Sequence, residues 1–151
     1  DLIHSFKFKN KTSLRKTFRH IARDFFEHYQ IRIKGYDCLL PLPLHPVRQR
    51  ERGYNQAALL ADGISEITGI PSVTDVLIRG KHTLPQSELG QKERWTNIQG
   101  AFKIKNLSRV KMKSVILVDD LLTTGSTASE AARTLKEAGA AKVGVIALSV
   151  A

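Results

Sequence analysis

Residues 115–127 read VILVDDLLTTGST, and both the fold and the chemistry turn on this stretch. The apolar run Val115 to Val118 suits a short strand buried on both faces. Asp119 and Asp120 follow at once. Then come two leucines, the small hydroxyl-rich segment Thr123, Thr124, Gly125, Ser126 and Thr127, and a helix-forming stretch, Ala128–Ala138. Strand, acidic pair, hydroxyl turn and helix make a compact phosphate and sugar site. The turn leaves backbone N–H groups free at a helix N-terminus, where partial positive charge attracts phosphate. Gly125 permits a backbone conformation or close approach that a side chain would block. The hydroxyls add donors. Carboxylates at a strand end accept hydrogen bonds from vicinal ribose hydroxyls, and strand ends are where open α/β sheets bind ligands.

Other phosphate loops do not fit. A P-loop ends in Gly–Lys–Ser/Thr and a Rossmann loop needs G-x-G-x-x-G, and neither occurs here. The bland alternative is an Asp and Ser helix cap with a second, solvated Asp. Against it stands the apolar run that ends in two adjacent acids and passes straight into the hydroxyl loop. This stretch of about thirteen residues resembles the phosphoribosyl-diphosphate (PRPP) motif of type I phosphoribosyltransferases.

The 151 residues suit one domain with a real core, and 42% apolar with 25% charged residues is a globular composition. A formal net charge of +10, from 24 Lys+Arg against 14 Asp+Glu, favours polyanionic partners: nucleic acid, phosphate-rich ligands or a membrane surface. The bland alternative is a basic but inert surface. The lone Cys38 excludes an internal disulfide and makes a reducing cytoplasm the simplest setting. It lies in an apolar run and reads as core, not nucleophile. No stretch approaches the roughly 18 apolar residues that a membrane span requires, and no signal peptide is visible.

Residues 1–11 alternate apolar and polar side chains, with Lys7, Lys9 and Lys11 on one set, as in an edge strand, an extended arm or a phosphate-facing basic row. A helix is expected over 13–30, capped by Thr12 or Ser13. Its core stripe would be Leu14, Phe18, Ile21, Ala22, Phe25, Phe26 and Tyr29, with Arg15, Lys16, Arg19 and Arg23 opposite. Tyr36–Leu42 reads as the first buried strand, stopped by prolines at 41, 43 and 46. A basic turn carrying Arg48, Arg50 and Arg52 follows, and arginine forks match phosphate oxygens. His45 has no ligand-spaced partner and reads as a polar loop residue. Tyr54 or Asn55 opens a helix that stops at Gly69, and Val73–Ile78 reads as a strand. Residues 79–98 are polar and lack a clean period, apart from a helix-like stretch over Glu88–Ile98. So long a segment is either a functional lid or a weakly ordered loop. Strands at Ala101–Ile104, Met112–Val118 and Lys142–Val150, with a helix over 127–138, complete an alternating pattern. That pattern implies an α/β fold with a mostly parallel sheet.

Three blocks, PLPLHPVRQRERGYNQAALLA (41–61), QSELGQKERWTNIQGAF (86–102) and VILVDDLLTTGST (115–127), resemble the ComF/ComFC competence-protein family. The likeness covers nearly the whole chain. It implies a type I phosphoribosyltransferase-like fold: a mostly parallel central sheet flanked by helices, with a mobile loop. By the resemblance, Asp119 and Asp120 bind the ribose hydroxyls of PRPP and form the catalytic pair. Thr123, Thr124, Gly125, Ser126 and Thr127 cradle its 5′-phosphate. The turn from Leu44 and His45 to Arg48, with Arg52 nearby, meets the pyrophosphate. Gln86, Arg94 and Asn97 belong to the mobile loop. Mg2+ accompanies the pyrophosphate near Asp119 and Asp120, held mainly by ligand oxygens and water. Family members typically carry an N-terminal four-cysteine zinc module. A single cysteine means that it was cut away ahead of Asp1 or that this member lacks it.

Two functions of different class follow from the resemblance. One is a Mg-dependent phosphoribosyltransferase, acting on an unidentified base in a protein of natural transformation and DNA uptake. The other is a non-catalytic competence factor that binds single-stranded DNA and uses the PRPP site as a sensor, with Phe6, Phe8, Phe18 and Trp95 as candidate stacking residues. Other competence proteins would be partners of either. A structural partner with a relic site is the third alternative.

Overall fold

The computed structural model describes residues 11–29, 31, 33–81 and 90–150. The arm expected over 1–11 lies outside them, except that its last residue, Lys11, already begins a helix. That helix, α1 (Lys11–His28), buries Leu14, Phe18, Ala22 and Phe26 at four-residue spacing, as expected. Tyr29, expected on the same stripe, is 63% exposed. The helix ends just before it, and its ring leans on Phe25 (5.0 Å between centroids) and His28 (4.7 Å) instead of entering the core.

Strand β1 (Cys38–Pro41) is buried throughout. The expected basic turn after it is instead a helix, α2 (Pro46–Arg52). Pro46, read from sequence as a stop, occupies the first helical turn, where its missing N–H costs nothing. His45 caps the helix by accepting the Val47 N–H at Nδ1 (3.3 Å), and Gly53 closes it in the left-handed conformation, φ 75°. Asn55 then caps α3 (Gln56–Thr68) and ties it to the β1 exit, its Nδ2 donating to the Leu42 carbonyl at 2.9 Å. Helix α3 packs against α1 at very short range. A Cβ on Gly63 would sit 3.1 Å from the Arg19 Cα, so any larger residue would push the two helices apart by a few tenths of an ångström. Arg15 and Arg19, expected on a solvated face, reach across to Asp62 and Glu66.

The strand expected over Val73–Ile78 is shorter and shifted: β2 is Leu77–Arg79. The preceding residues serve the main sheet instead. Leu39 N–H donates to Pro71 O (2.8 Å) and Val73 N–H to Leu39 O (2.9 Å), making a parallel bridge between Leu39 and Ser72. After α4 (Gln91–Ile98), strand β3 (Phe102–Ile104) pairs antiparallel with β2. Strand β4 (Ser114–Leu122) lies between β1 and β5 (Lys142–Val150), parallel to both, and α5 (Ser126–Glu137) joins β4 to β5. Among the described residues, the expected mostly parallel sheet is thus three parallel strands, with a separate two-stranded antiparallel ribbon.

Side chains of the parallel strands alternate between two cores. Cys38, Leu40, Val115 and Leu117 face α5 and the β2–β3 ribbon. Leu39, Ile116 and Val118 face α1 and α3. Cys38 is a core residue, and burial, then the charge of Asp37, pushes its thiol pKa up. Among the described residues, no helix is long and apolar enough to cross a membrane.

Candidate ligand site at the carboxyl end of the sheet

Strand β4 does not stop at Val118 as its apolar run implied. It continues to Leu122, because β5 pairs with it as far as Leu122↔Val150. Asp119 and Asp120 therefore lie within a strand, with Asp119 in register with Ala147, and the ladder fixes their backbone. The Asp120 N–H donates to Asp119 Oδ1 (2.9 Å). Burial, then the hydrogen bond and negative charge of Asp120, pushes the Asp119 carboxyl up to about 7. Such a group changes charge near neutrality, which marks binding and catalytic positions more often than structural ones.

The hydroxyl segment begins where β4 ends. Gly125 takes φ 75° as the residue before α5. Thr124 Oγ1 donates to Ser126 Oγ at 3.0 Å and also faces the Ser126 N–H (3.4 Å), so these side chains organise the turn itself. Ser126 is buried, Thr124 and Thr127 are half-buried, and Thr123 is exposed. The acids and the hydroxyls are thus held side by side at the carboxyl end of the central strand.

The β1 exit reaches the same end of the sheet. Leu42 N–H donates to Val118 O at 2.9 Å, extending the parallel ladder toward Leu44 and His45. Arg48 is half-buried on α2. Arg52, one turn on, is exposed and donates to Gln56 Oε1 (2.7 Å). Arg94 and Asn97 are half-buried on α4, which packs against α5. Gln86 lies outside the described residues.

Two residues enter this picture that sequence reasoning did not select. Arg79, the last residue of β2, is within electrostatic reach of both Arg48 and Asp119. Burial, then the positive charge of Arg48, holds it below the ordinary arginine range, and Asp119 acts in the opposite direction. Glu130 is a buried carboxylate on α5 that accepts the Gly100 N–H (2.8 Å) and two N–H groups of Arg133 (3.0 and 2.7 Å). The Arg133 hydrogen bonds keep its pKa low. It fastens Gly100, between α4 and β3, to the helix that follows the hydroxyl turn. The Glu130–Arg133 spacing was visible as an ordinary i,i+3 pair, but the Gly100 partner was not.

Comparison with known proteins agrees with this architecture. The family model "Phosphoribosyl transferase domain" matches residues 51–149. Competence protein F of Haemophilus influenzae is 34% identical over 153 aligned residues, covering 98% of this chain and 66% of that protein. Competence protein ComFC of Bacillus subtilis is 34% identical over 141, covering 93% and 55%. The chain thus spans about two thirds or less of these relatives. Among solved structures, "the allosteric regulatory enzyme of purine biosynthesis" superposes with a TM-score of 0.58 at 20% identity, over 89% of this chain and 26% of that one, a likeness of fold. The resemblance to competence F proteins that the three sequence blocks carry is thereby shown, and the chain belongs to the phosphoribosyl transferase domain family.

Proposed function

We propose that this chain binds PRPP with magnesium at the carboxyl end of its parallel sheet and transfers the phosphoribosyl group to a base nitrogen, within a protein serving DNA uptake in natural transformation. The observation that carries this reading is the junction of β4 and α5. Two adjacent strand carboxylates run directly into a hydroxyl turn whose glycine has positive φ, at the start of a twelve-residue helix.

In this reading Asp119 and Asp120 accept hydrogen bonds from the vicinal ribose hydroxyls and fix the sugar ring. Thr123 to Thr127 receive the 5′-phosphate with backbone N–H groups and hydroxyls. Leu44, His45, Arg48 and Arg52 line the pyrophosphate side. Gln86, Arg94 and Asn97 belong to the segment that covers the reacting carbon. The base nitrogen forms its bond to C1 as the bond from C1 to the pyrophosphate oxygen breaks, so the protein needs no covalent nucleophile. Positioning, the arginine charges and exclusion of water supply the acceleration. Among the described residues no three His, Cys, Asp or Glu side chains converge to hold a metal, so a magnesium ion would draw most of its ligands from phosphate oxygens and water, with Asp119 and Asp120 nearby. When bound, it would neutralise the departing pyrophosphate.

The names of the competence relatives support the transformation role, and the single, buried Cys38 suits the cytoplasm. The test is release of pyrophosphate from PRPP across a panel of bases. Turnover that disappears in Asp119→Ala/Asp120→Ala supports the reading, and turnover unchanged by that substitution overturns it.

A second reading, a competence factor that binds single-stranded DNA without catalysis, rests on the +10 charge and on Trp95, whose ring is 46% exposed on α4. Phe18, the other described aromatic of that set, is core. Binding of single strands that weakens steeply with salt supports it, and absent or salt-independent binding counts against it.

A further inference from the structure

At the amino end of the sheet, away from the junction of β4 and α5, lies an open cavity of about 360 Å³, within the size range of ligand pockets. Ile31, Ile33, Tyr36 and Ile70 form its apolar walls, continuous with the core between α1 and α3. Thr68 joins them from the end of α3, and Lys34 stands exposed at the rim. Tyr36, expected inside the first strand, lies two residues ahead of it, and its ring is a fixed wall. A Cβ on Gly144 would fall 2.7 Å from the Tyr36 hydroxyl oxygen, so a glycine on β5 makes room for the ring. Lys142 Nζ stands over that ring, 4.5 Å from its centroid. Thr68 is already satisfied, its Oγ1 donating to Ile64 O (2.8 Å) and accepting the Ile70 N–H (3.3 Å).

The charge beside this cavity has one sign. Lys113 adjoins Lys142, because its carbonyl accepts the Ala141 N–H at 2.9 Å. Among the described residues no carboxylate stands within ion-pair distance of Lys34, Lys113 or Lys142. Asp37, next to Tyr36 in the chain, turns its Oδ2 to the Ser114 N–H (2.7 Å). We propose that the cavity docks an acidic segment of another protein, one apolar side chain entering it while flanking carboxylates meet Lys34, Lys142 and Lys113. The buried anchor would supply most of the affinity, and the lysines would steer and select acidic partners. Charge excludes the occupants nearest to hand. A second copy of this chain brings a net charge of +10, and its own residues 1–11 hold three lysines against one aspartate. A nucleic acid suits the cavity less well. The walls are mainly aliphatic, the one ring has Lys142 over it, and these three cations are point charges, not the forks that grip phosphate.

The experiment is fluorescence anisotropy with the 151-residue chain and a series of labelled peptides, each a run of aspartates ending in Leu, Phe or Trp. The variants are Lys34→Glu, Lys142→Glu and Ile33→Ser, used after thermal melts show that each folds. The expected result is saturable binding of at least one peptide by the parent. Replacing its terminal apolar residue by Ser should weaken it about 10- to 100-fold, as for a lost buried side chain. Each charge reversal should weaken it about 5-fold, less in high salt, and Ile33→Ser should weaken it at any salt concentration. No saturable binding by the parent, equal affinity for the Ser-ended peptide, or affinity unchanged in Lys34→Glu and Ile33→Ser would overturn the proposal. A thymidine oligonucleotide that binds and is weakened by the same variants, while every peptide fails, would also overturn it and give this face to nucleic acid.

Discussion

The two ends of the parallel sheet carry polar and charged groups to opposite effect. At the amino end the polar groups satisfy one another. Asp37 donates its N–H to Ser114 O and accepts the Ser114 N–H at Oδ2, both at 2.7 Å. Lys136 caps the end of α5 by donating to Ala140 O (3.2 Å) and Ala141 O (3.0 Å). The Met112 N–H donates to Gly139 O at 2.8 Å. At the carboxyl end, a carboxyl is pushed to about 7 beside a second acid, and Arg79 is held down by burial and by Arg48. One end joins the elements. The other holds a buried acid and a buried cation with shifted pKa values, and such groups occur at binding and catalytic positions more often than at structural ones.

The largest expected effect separates the ends by sign. Between pH 3.8 and about 7 the folded chain keeps a proton on Asp119 that the unfolded chain has released. This group's contribution to stability therefore falls as pH rises through that window and is flat above it. Asp119→Asn removes the penalty and retains an oxygen for the Asp120 N–H. It should stabilise the chain by roughly 2–3 kcal/mol at pH 8, fading to nothing by about pH 3.5, while abolishing ligand binding. Denaturant melts at the two pH values measure this, and a destabilised variant at pH 8 would erase the contrast. By the same titration, PRPP binding by the parent should strengthen from pH 6 to pH 8.

Next comes Glu130→Ala. It should cost roughly 1–3 kcal/mol in chemical denaturation by breaking the link from Gly100 to α5. Asp37→Ala at the amino end should cost about 1 kcal/mol and leave ligand affinity unchanged; altered affinity would mean that the ends are coupled. The smallest effect belongs to the exposed pairs that Arg15 and Arg19 make with Asp62 and Glu66. Glu66→Ala should change stability by under about 1 kcal/mol, less in high salt.

What could be read from the chain follows the same division. The junction of β4 and α5 was legible because its signals are contiguous: an apolar run, two acids, hydroxyls and a glycine. Strand β5 and helix α3 were legible from local periodicity and from Gly69, which closes α3 at φ 75°. Elements set by partners were not. Strand β4 runs past its apolar stretch because β5 continues beside it. Strand β2 is displaced because residues 71–73 bond to Leu39 first. Helix α2 was mistaken for a turn because a proline that can end one element also suits the first turn of another. Arg79 belongs with these, since its meaning depends on neighbours from α2 and β4, distant in the chain.

The most direct test of the central claim is calorimetric titration of PRPP with magnesium into the chain and into Asp119→Ala/Asp120→Ala. The account predicts saturable binding by the parent and its loss in a variant that still melts cooperatively. Binding that survives the double substitution, or a folded parent that takes up no PRPP, would contradict it.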